Sequence, residues 1–240
     1  MIVLVTGGAT GLGEAISRKI AQQPSDIVYF TYNSSNANAE IIESDFKNAI
    51  GIKCNFKDKQ DVAELCNRIS GLNIDVLINN AYSGDFLKSH FHKTPVDDFA
   101  SGFNDNILPT IAITQAAINL FRKKKSGKII TILTAALVNT PPVGSSVYVA
   151  NKAYIEELTK VWATENARFN ITSNTISPAF MLTGFTKDID ERLVEQIQSN
   201  HPLKKLLVPE EVIGSVLFLM NSTQQINGIN ILLNSGSNIK

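Results

Sequence analysis

The chain has 240 residues, 44% of them hydrophobic, and its 22 basic residues are balanced by 22 acidic ones. Balanced charge leaves no global field to gather nucleic acid or an anionic membrane surface, and no apolar run reaches the ~18 residues that a membrane span needs. The size fits a single domain over 1–240 with a large buried core, and a soluble, cytoplasmic protein that binds a small molecule is the expectation.

Taken in order, short β-branched runs alternate with helical patterns. The runs are IVLVT from Ile2, IVYFT from Ile27, AIGIKC from Ala49, DVLINNA from Asp75, KIITILT from Lys128, ITSNTIS from Ile171 and INILLN from Ile229. They are almost continuously apolar, as strands of a parallel sheet covered on both faces must be. Right-handed crossovers between such strands give an α/β fold, a doubly wound parallel seven-stranded sheet with helices on both faces.

The first connection, TGGATGLG from Thr6 to Gly13, links a strand to a helix and holds four glycines. The first N–H groups of a helix have no internal partners and the helix dipole is positive there, so a phosphate can be seated if no side chain blocks its approach. Gly7 is expected to make the turn, Gly11 to admit the phosphates and Gly13 to let the helix pack closely. With Thr10 and Leu12 they form a candidate dinucleotide site.

After the third strand, DKQDVAELCNRIS predicts a helix capped by Asp58 or Asp61 and stopped by Gly71. Cys54 and Cys66 stand in no metal-ligand spacing and read as small core residues. His90 and His92 lack a visible third ligand, so no metal site is expected. The basic run Arg122–Lys125 ends a helix, where cations favour the dipole. The long irregular segment of about 179–209 reads as a substrate loop carrying a short helix, DERLVEQIQS.

Tyr148 and Lys152, in YVANK, lie four apart and share one helix face. A phenol titrates near 10, and a nearby ammonium can shift such a group by roughly 1–3 units, so Lys152 is expected to draw Tyr148 towards working pH as a general acid–base.

Together these features resemble the short-chain dehydrogenases/reductases over essentially the full length, and most of all the 3-oxoacyl-carrier-protein reductase type. The glycine turn is spaced T-G-x-x-x-G-x-G; INNA (Ile78 to Ala81) stands for N-N-A-G; NDNILPT supplies Asn106; YVANK supplies Y-x-x-x-K. ISPAF with Thr183 stands for P-G-x-x-x-T, and PEEVIGSVLFLM resembles the family's penultimate helix.

The resemblance implies a Rossmann-fold oxidoreductase in which a nicotinamide cofactor gives hydride to a ketone, leaving a secondary alcohol. Tyr148 donates the proton, Lys152 also bonds the nicotinamide ribose, and Asn106 holds a relay water. It further implies cofactor contacts at Asn55, Phe56, Asn80, Ala81, Pro178, Met181 and Thr183. The family's serine has no counterpart: counting back falls on Ala135, aligning the strand falls on Thr134, and Ser145 or Ser146 are substitutes. Thr134 is the expected polariser, since its hydroxyl can donate as serine does. Tyr82 and Ala179 replace family glycines and add bulk beside the nicotinamide site.

The second strand ends in YNSSNAN without a carboxylate, so a 2′-phosphate is not repelled. Asn33, Ser34 and Ser35 offer donors, and NADPH/NADP+ is expected over NADH. Phe180, Leu182, Phe185 and the segment DIDERLVEQIQS are expected at the substrate. That substrate is a small-molecule or acyl-carrier-bound carbonyl: a 3-oxoacyl thioester, or alternatively a sugar, polyol or polyketide. A catalytically silent dinucleotide-binding protein is the alternative of another class. The resemblance also implies a homotetramer or homodimer through the long fourth and fifth helices and the carboxyl-terminal strands.

Overall fold

The sheet of the computed structural model has seven parallel strands in the order β3-β2-β1-β4-β5-β6-β7. These are Ile2–Val5 (β1), Ile27–Tyr32 (β2), Ala49–Lys53 (β3), Val76–Asn79 (β4), Gly127–Ile132 (β5), Ile171–Pro178 (β6) and Asn230–Leu233 (β7). The structure describes residues 1–87, 89–138, 140–186 and 189–237. Strand order reverses between β1 and β4, so their carboxyl ends diverge into a crevice, the place where open α/β sheets bind ligands.

Continuous apolar runs become two cores because successive side chains point to opposite faces. Val3 and Val5 of β1 join Val76 and Ile78 of β4 on one face, with Gly11–Ala21 (α1), Asn36–Asp45 (α2) and Pro209–Asn221 (α8) covering them. Leu4, Leu77 and Ile129 face the other way, under Lys59–Leu72 (α3), Leu108–Lys124 (α5) and Ser146–Asn166 (α6). The remaining helices are Val96–Gly102 (α4) and Glu191–Asn200 (α7), and a π-helical turn, Phe103–Ile107, joins α4 to α5.

Several local expectations are refined. Asp58, not Asp61, caps α3: its side chain accepts from Gln60 N at 2.8 Å, while Asp61 accepts from Asn55 N at 2.8 Å. Gly71 does not stop that helix. The chain continues to Leu72 and turns at Asn73 in the left-handed region, φ 52°, which asparagine tolerates. The basic run closes α5, with Lys124 bonding Asp75 and the carbonyls of Asn73 and Ile74. His90 and His92 are exposed beside a single turn of 3-10 helix, and no group of three metal-ligating side chains exists among the described residues.

Cys54 is buried and Cys66 half-buried, both free; burial first, then the nearby Asp61 carboxylate, pushes the Cys54 thiol up to about 12. Among the described residues no helix is long and apolar enough to cross a membrane. The expected loop helix is α7, capped by Asp190. Asp188, at the start of DIDERLVEQIQS, lies outside the described residues.

Candidate active site

The glycine turn is closed by its neighbours. The Thr6 hydroxyl accepts from the backbone N–H groups of Asn80 and Ala81, both at 3.0 Å, and the Asn80 amide donates to the carbonyls of Thr6 and Gly7 at 3.0 and 3.1 Å. Gly7 N donates to the Thr31 hydroxyl at 2.9 Å. The end of β4 thus clamps the turn after β1. A Cβ at Gly13 would sit 2.0 Å from the Gly7 carbonyl oxygen, so only glycine lets the helix start so close to the turn. Gly7 also needs the left-handed region, at φ 64°. Thr10 is the N-cap of α1 without spending its hydroxyl on a cap bond.

From this turn a cleft of about 990 Å³ runs across the carboxyl ends of the strands. Every residue expected to hold cofactor or do chemistry lines it, from Gly7, Thr10, Gly11, Leu12 and Gly13 through Asn33–Ser35, Asn55 and Phe56, to Pro178, Met181 and Thr183. Its described lining carries no carboxylate but includes Lys57 and Lys152. An open helix start, neutral donors and two lysines match a polyanionic dinucleotide, and the residues present fit one.

At the inner end, Tyr148, Lys152, Thr134 and Asn106 come together, each buried. Thr134 leaves the end of β5 as the cap of a short 3-10 turn; its hydroxyl accepts from Ala136 N at 3.2 Å and hydrogen-bonds the Tyr148 phenol. Ser145 and Ser146 do not line the cleft. The Ser145 hydroxyl donates to Pro142 O at 2.6 Å, and the buried Ser146 hydroxyl has no partner among the described residues.

Two expectations change here. Lys152 does not pull Tyr148 towards neutrality: burial pushes the phenol up to about 12, more than the Thr134 hydrogen bond lowers it, and Tyr82 adds to the rise. The ammonium is instead aimed at the Ile132 carbonyl, 2.7 Å away, and burial pulls it down to about 8. The second change concerns Asn106, which sits in the π-helical turn instead of a regular helix. Its amide oxygen accepts from Ser83 N at 2.7 Å, and its nitrogen donates to Ser83 O and Gly102 O at 3.1 and 3.0 Å. The side chain is a tie to the loop after β4, with little left over for a water.

Comparison with known proteins decides the family. A family model described as enoyl-(acyl carrier protein) reductase matches residues 7–238. The chain belongs to the short-chain dehydrogenase/reductase family. Such enzymes are NAD(P)-dependent oxidoreductases acting on CH–OH and C=O groups. A 3-oxoacyl-[acyl-carrier-protein] reductase from Thermotoga maritima is 28% identical, covering 95% of each chain. Carbonyl reductase family member 4 of Xenopus laevis is 30% identical over 92% of this chain and 91% of its own. A solved structure of a short-chain dehydrogenase/reductase family protein superposes with a TM-score of 0.86 at 28% identity, covering 98% of this chain and 96% of that one.

This short-chain dehydrogenase/reductase also contains site groups that motif reading passed over. Thr6 and Thr31 anchor the glycine turn, and Lys57 reaches the cleft while pairing with Asp105 at 3.5 Å. Phe86 packs its ring 5.1 Å from that of Tyr148. Only Phe86 had a signal in the sequence: an aromatic residue five positions past INNA, in a loop that has to border the crevice. Tyr82, expected as added bulk, stands with its ring centroid 5.1 Å from that of Tyr148. Leu182 is exposed and does not line the cleft, whereas Phe180 and Phe185 do.

Proposed function

We propose that the protein reduces a ketone to a secondary alcohol with NADPH, using Tyr148 as the proton donor. The observation that carries this reading is the meeting of Tyr148, Thr134 and Lys152, all buried, at the inner end of a cleft whose outer end is the glycine turn. When bound, NADPH supplies the hydride that reaches the carbonyl carbon. Tyr148 gives its proton to the carbonyl oxygen, so C=O becomes CH–OH with atoms and charge balanced.

Thr134 accepts from Ala136 N, which leaves its own proton to steady the phenolic oxygen as charge develops there. A phenol near 12 is a reluctant base at neutral pH, which favours reduction over alcohol oxidation. Lys152 keeps its ammonium 5.9 Å from the Tyr148 ring centroid, tied to the Ile132 carbonyl, and Asn106 acts as a positioning residue through Ser83.

The preference for NADPH rests on Asn33, Ser34 and Ser35 at the end of β2, donors in a stretch without a carboxylate. The substrate we infer is a 3-oxoacyl thioester, free or carried on an acyl-carrier protein; the relatives named for that reaction and the apolar inner cleft support it. Self-association through α5 and α6, the two long helices, is supported by Leu108, Tyr154 and Val161, each more than 40% exposed. The protein works in the cytoplasm on this reading.

NADPH oxidation followed with acetoacetyl thioesters, keto-sugars and diketones tests the activity. Tyr148→Phe should abolish turnover while NADPH affinity, read by fluorescence, changes little. Retained turnover in that variant removes the proton-donor assignment. Tight NADPH binding with no turnover of any carbonyl supports a silent dinucleotide-binding protein.

A further inference from the structure

Three aromatic side chains, Tyr82, Phe86 and Phe185, surround the reactive phenol. Tyr148 sits on α6, whereas Tyr82 and Phe86 stand on the loop after β4. The Tyr82 hydroxyl accepts from Asn151 Nδ2 at 3.2 Å, and the Lys152 ammonium lies 5.3 Å from its ring centroid, so both ends of that ring are engaged. Phe86 is 9% exposed and Tyr148 8%. Phe185 instead rides on the loop after β6, anchored at its neighbour Thr186, whose hydroxyl donates to Met181 O at 2.7 Å.

The Phe185 ring centroid is 5.7 Å from that of Tyr148, 5.6 Å from Tyr82 and 6.1 Å from Phe86. Its planes meet those of Tyr82 and Phe86 at 76° and 69°, the edge-to-face arrangement that aromatic quadrupoles prefer. One six-membered ring therefore already occupies a three-walled niche, and it does so beside the hydroxyl that would protonate a carbonyl. No carboxylate lines the cleft among the described residues, and the nearest cation is turned to the Ile132 carbonyl. The niche offers ring faces and edges to whatever stands next to the reacting carbon.

We propose that the niche formed by Tyr82, Phe86 and Tyr148 is the subsite for a flat ring attached to the substrate carbonyl, and that Phe185 is its resident stand-in, displaced when an aryl ketone enters. The proposal rests on the ketone-reductase reading and adds ring-bearing ketones to the carbonyls that the site accepts. Phe185 then competes with substrate. Removing it strengthens binding, whereas removing a wall weakens it.

The test titrates acetophenone by calorimetry into the protein, with and without NADP+, and measures its reduction beside that of an acetoacetyl thioester. An aromatic pair is worth a factor of roughly three to ten, so Phe185→Ala should bind acetophenone more tightly by about that factor and lower its KM with kcat nearly unchanged. Phe86→Ala should weaken acetophenone by a comparable factor. Phe86→Leu keeps the apolar volume without the ring, so it guards against a folding defect and should show the same loss.

Equal or weaker acetophenone binding in Phe185→Ala overturns the proposal, as does a KM change for the thioester as large as that for acetophenone. Absence of acetophenone binding in every form overturns it too. If acetophenone binding follows the pattern while no carbonyl oxidises NADPH, the niche stands and the reductase reading falls.

Discussion

Lys152 is the residue whose charge state the site controls most directly. Its side chain is buried, its one hydrogen-bond partner is the Ile132 carbonyl, and burial brings its proton loss down to about 8. An ammonium lining the cleft attracts a polyanionic dinucleotide, and a neutral amine does not. Raising the pH through about 8 removes the charge, so reduction should be fastest below that value. It should fall by roughly a factor of ten per pH unit above it, as the protonated fraction does. Measuring kcat/KM for NADPH in ketone reduction from pH 6 to 9.5 checks this, and a flat profile to the alkaline end denies Lys152 an electrostatic part. Tyr148, held up to about 12, contributes no limb in that window.

At the level of elements, the strands were readable because each is a short apolar run bounded by turns, and seven such runs became seven strands. The Y-x-x-x-K pair and the glycine turn were readable for the same kind of reason: helical spacing puts the pair on one face, and strand–turn–helix context puts the glycines at a sheet end. The π-helical turn holding Asn106 was not, since one extra residue per turn leaves the apolar period almost unchanged. Nor could spacing reveal that Lys152 faces a carbonyl, because an i, i+4 relation places two side chains on one face without saying which atoms meet.

Gly71 shows the same limit. Glycine near a helix end signals a stop, yet Asn73 makes the turn and a Cβ at Gly71 meets nothing within 4 Å. Gly71→Ala should therefore stabilise the protein by about 0.5–1 kcal/mol through helix propensity. Gly13→Ala, whose Cβ falls 2.0 Å from the Gly7 carbonyl, should instead destabilise by roughly 1–3 kcal/mol and lose dinucleotide affinity. Denaturant midpoints and NADPH titrations of the two variants separate these outcomes. Destabilisation by Gly71→Ala refutes the open-space argument, and unimpaired NADPH binding by Gly13→Ala refutes the close-packing one.

Across the whole molecule, the cleft draws its walls from both halves of the sheet: the turn after β1, the ends of β2 and β3, the loop after β4, β5 with α6, and the segment after β6. A ligand lying along it ties together elements that otherwise meet chiefly through the strand ladder, and anything that binds only the folded chain stabilises it by mass action. At roughly a hundred times its Kd, NADPH should add about 2.7 kcal/mol, which for a chain of this size is a rise of roughly 5–10 °C in Tm. On the proposed reading, the end of β2 selects which dinucleotide does so. Asn33 and Ser34 are exposed there with no carboxylate beside them, so a 2′-phosphate gains donors and meets no repulsion, while a bare 2′-hydroxyl finds no acidic partner. NADH at equal concentration should raise Tm less, and Ser34→Asp should narrow or reverse the difference by placing a like charge against the phosphate. Thermal unfolding with each dinucleotide, for both proteins, reads this directly; a larger shift with NADH in the unmodified chain would overturn the assignment of these residues to the 2′-phosphate.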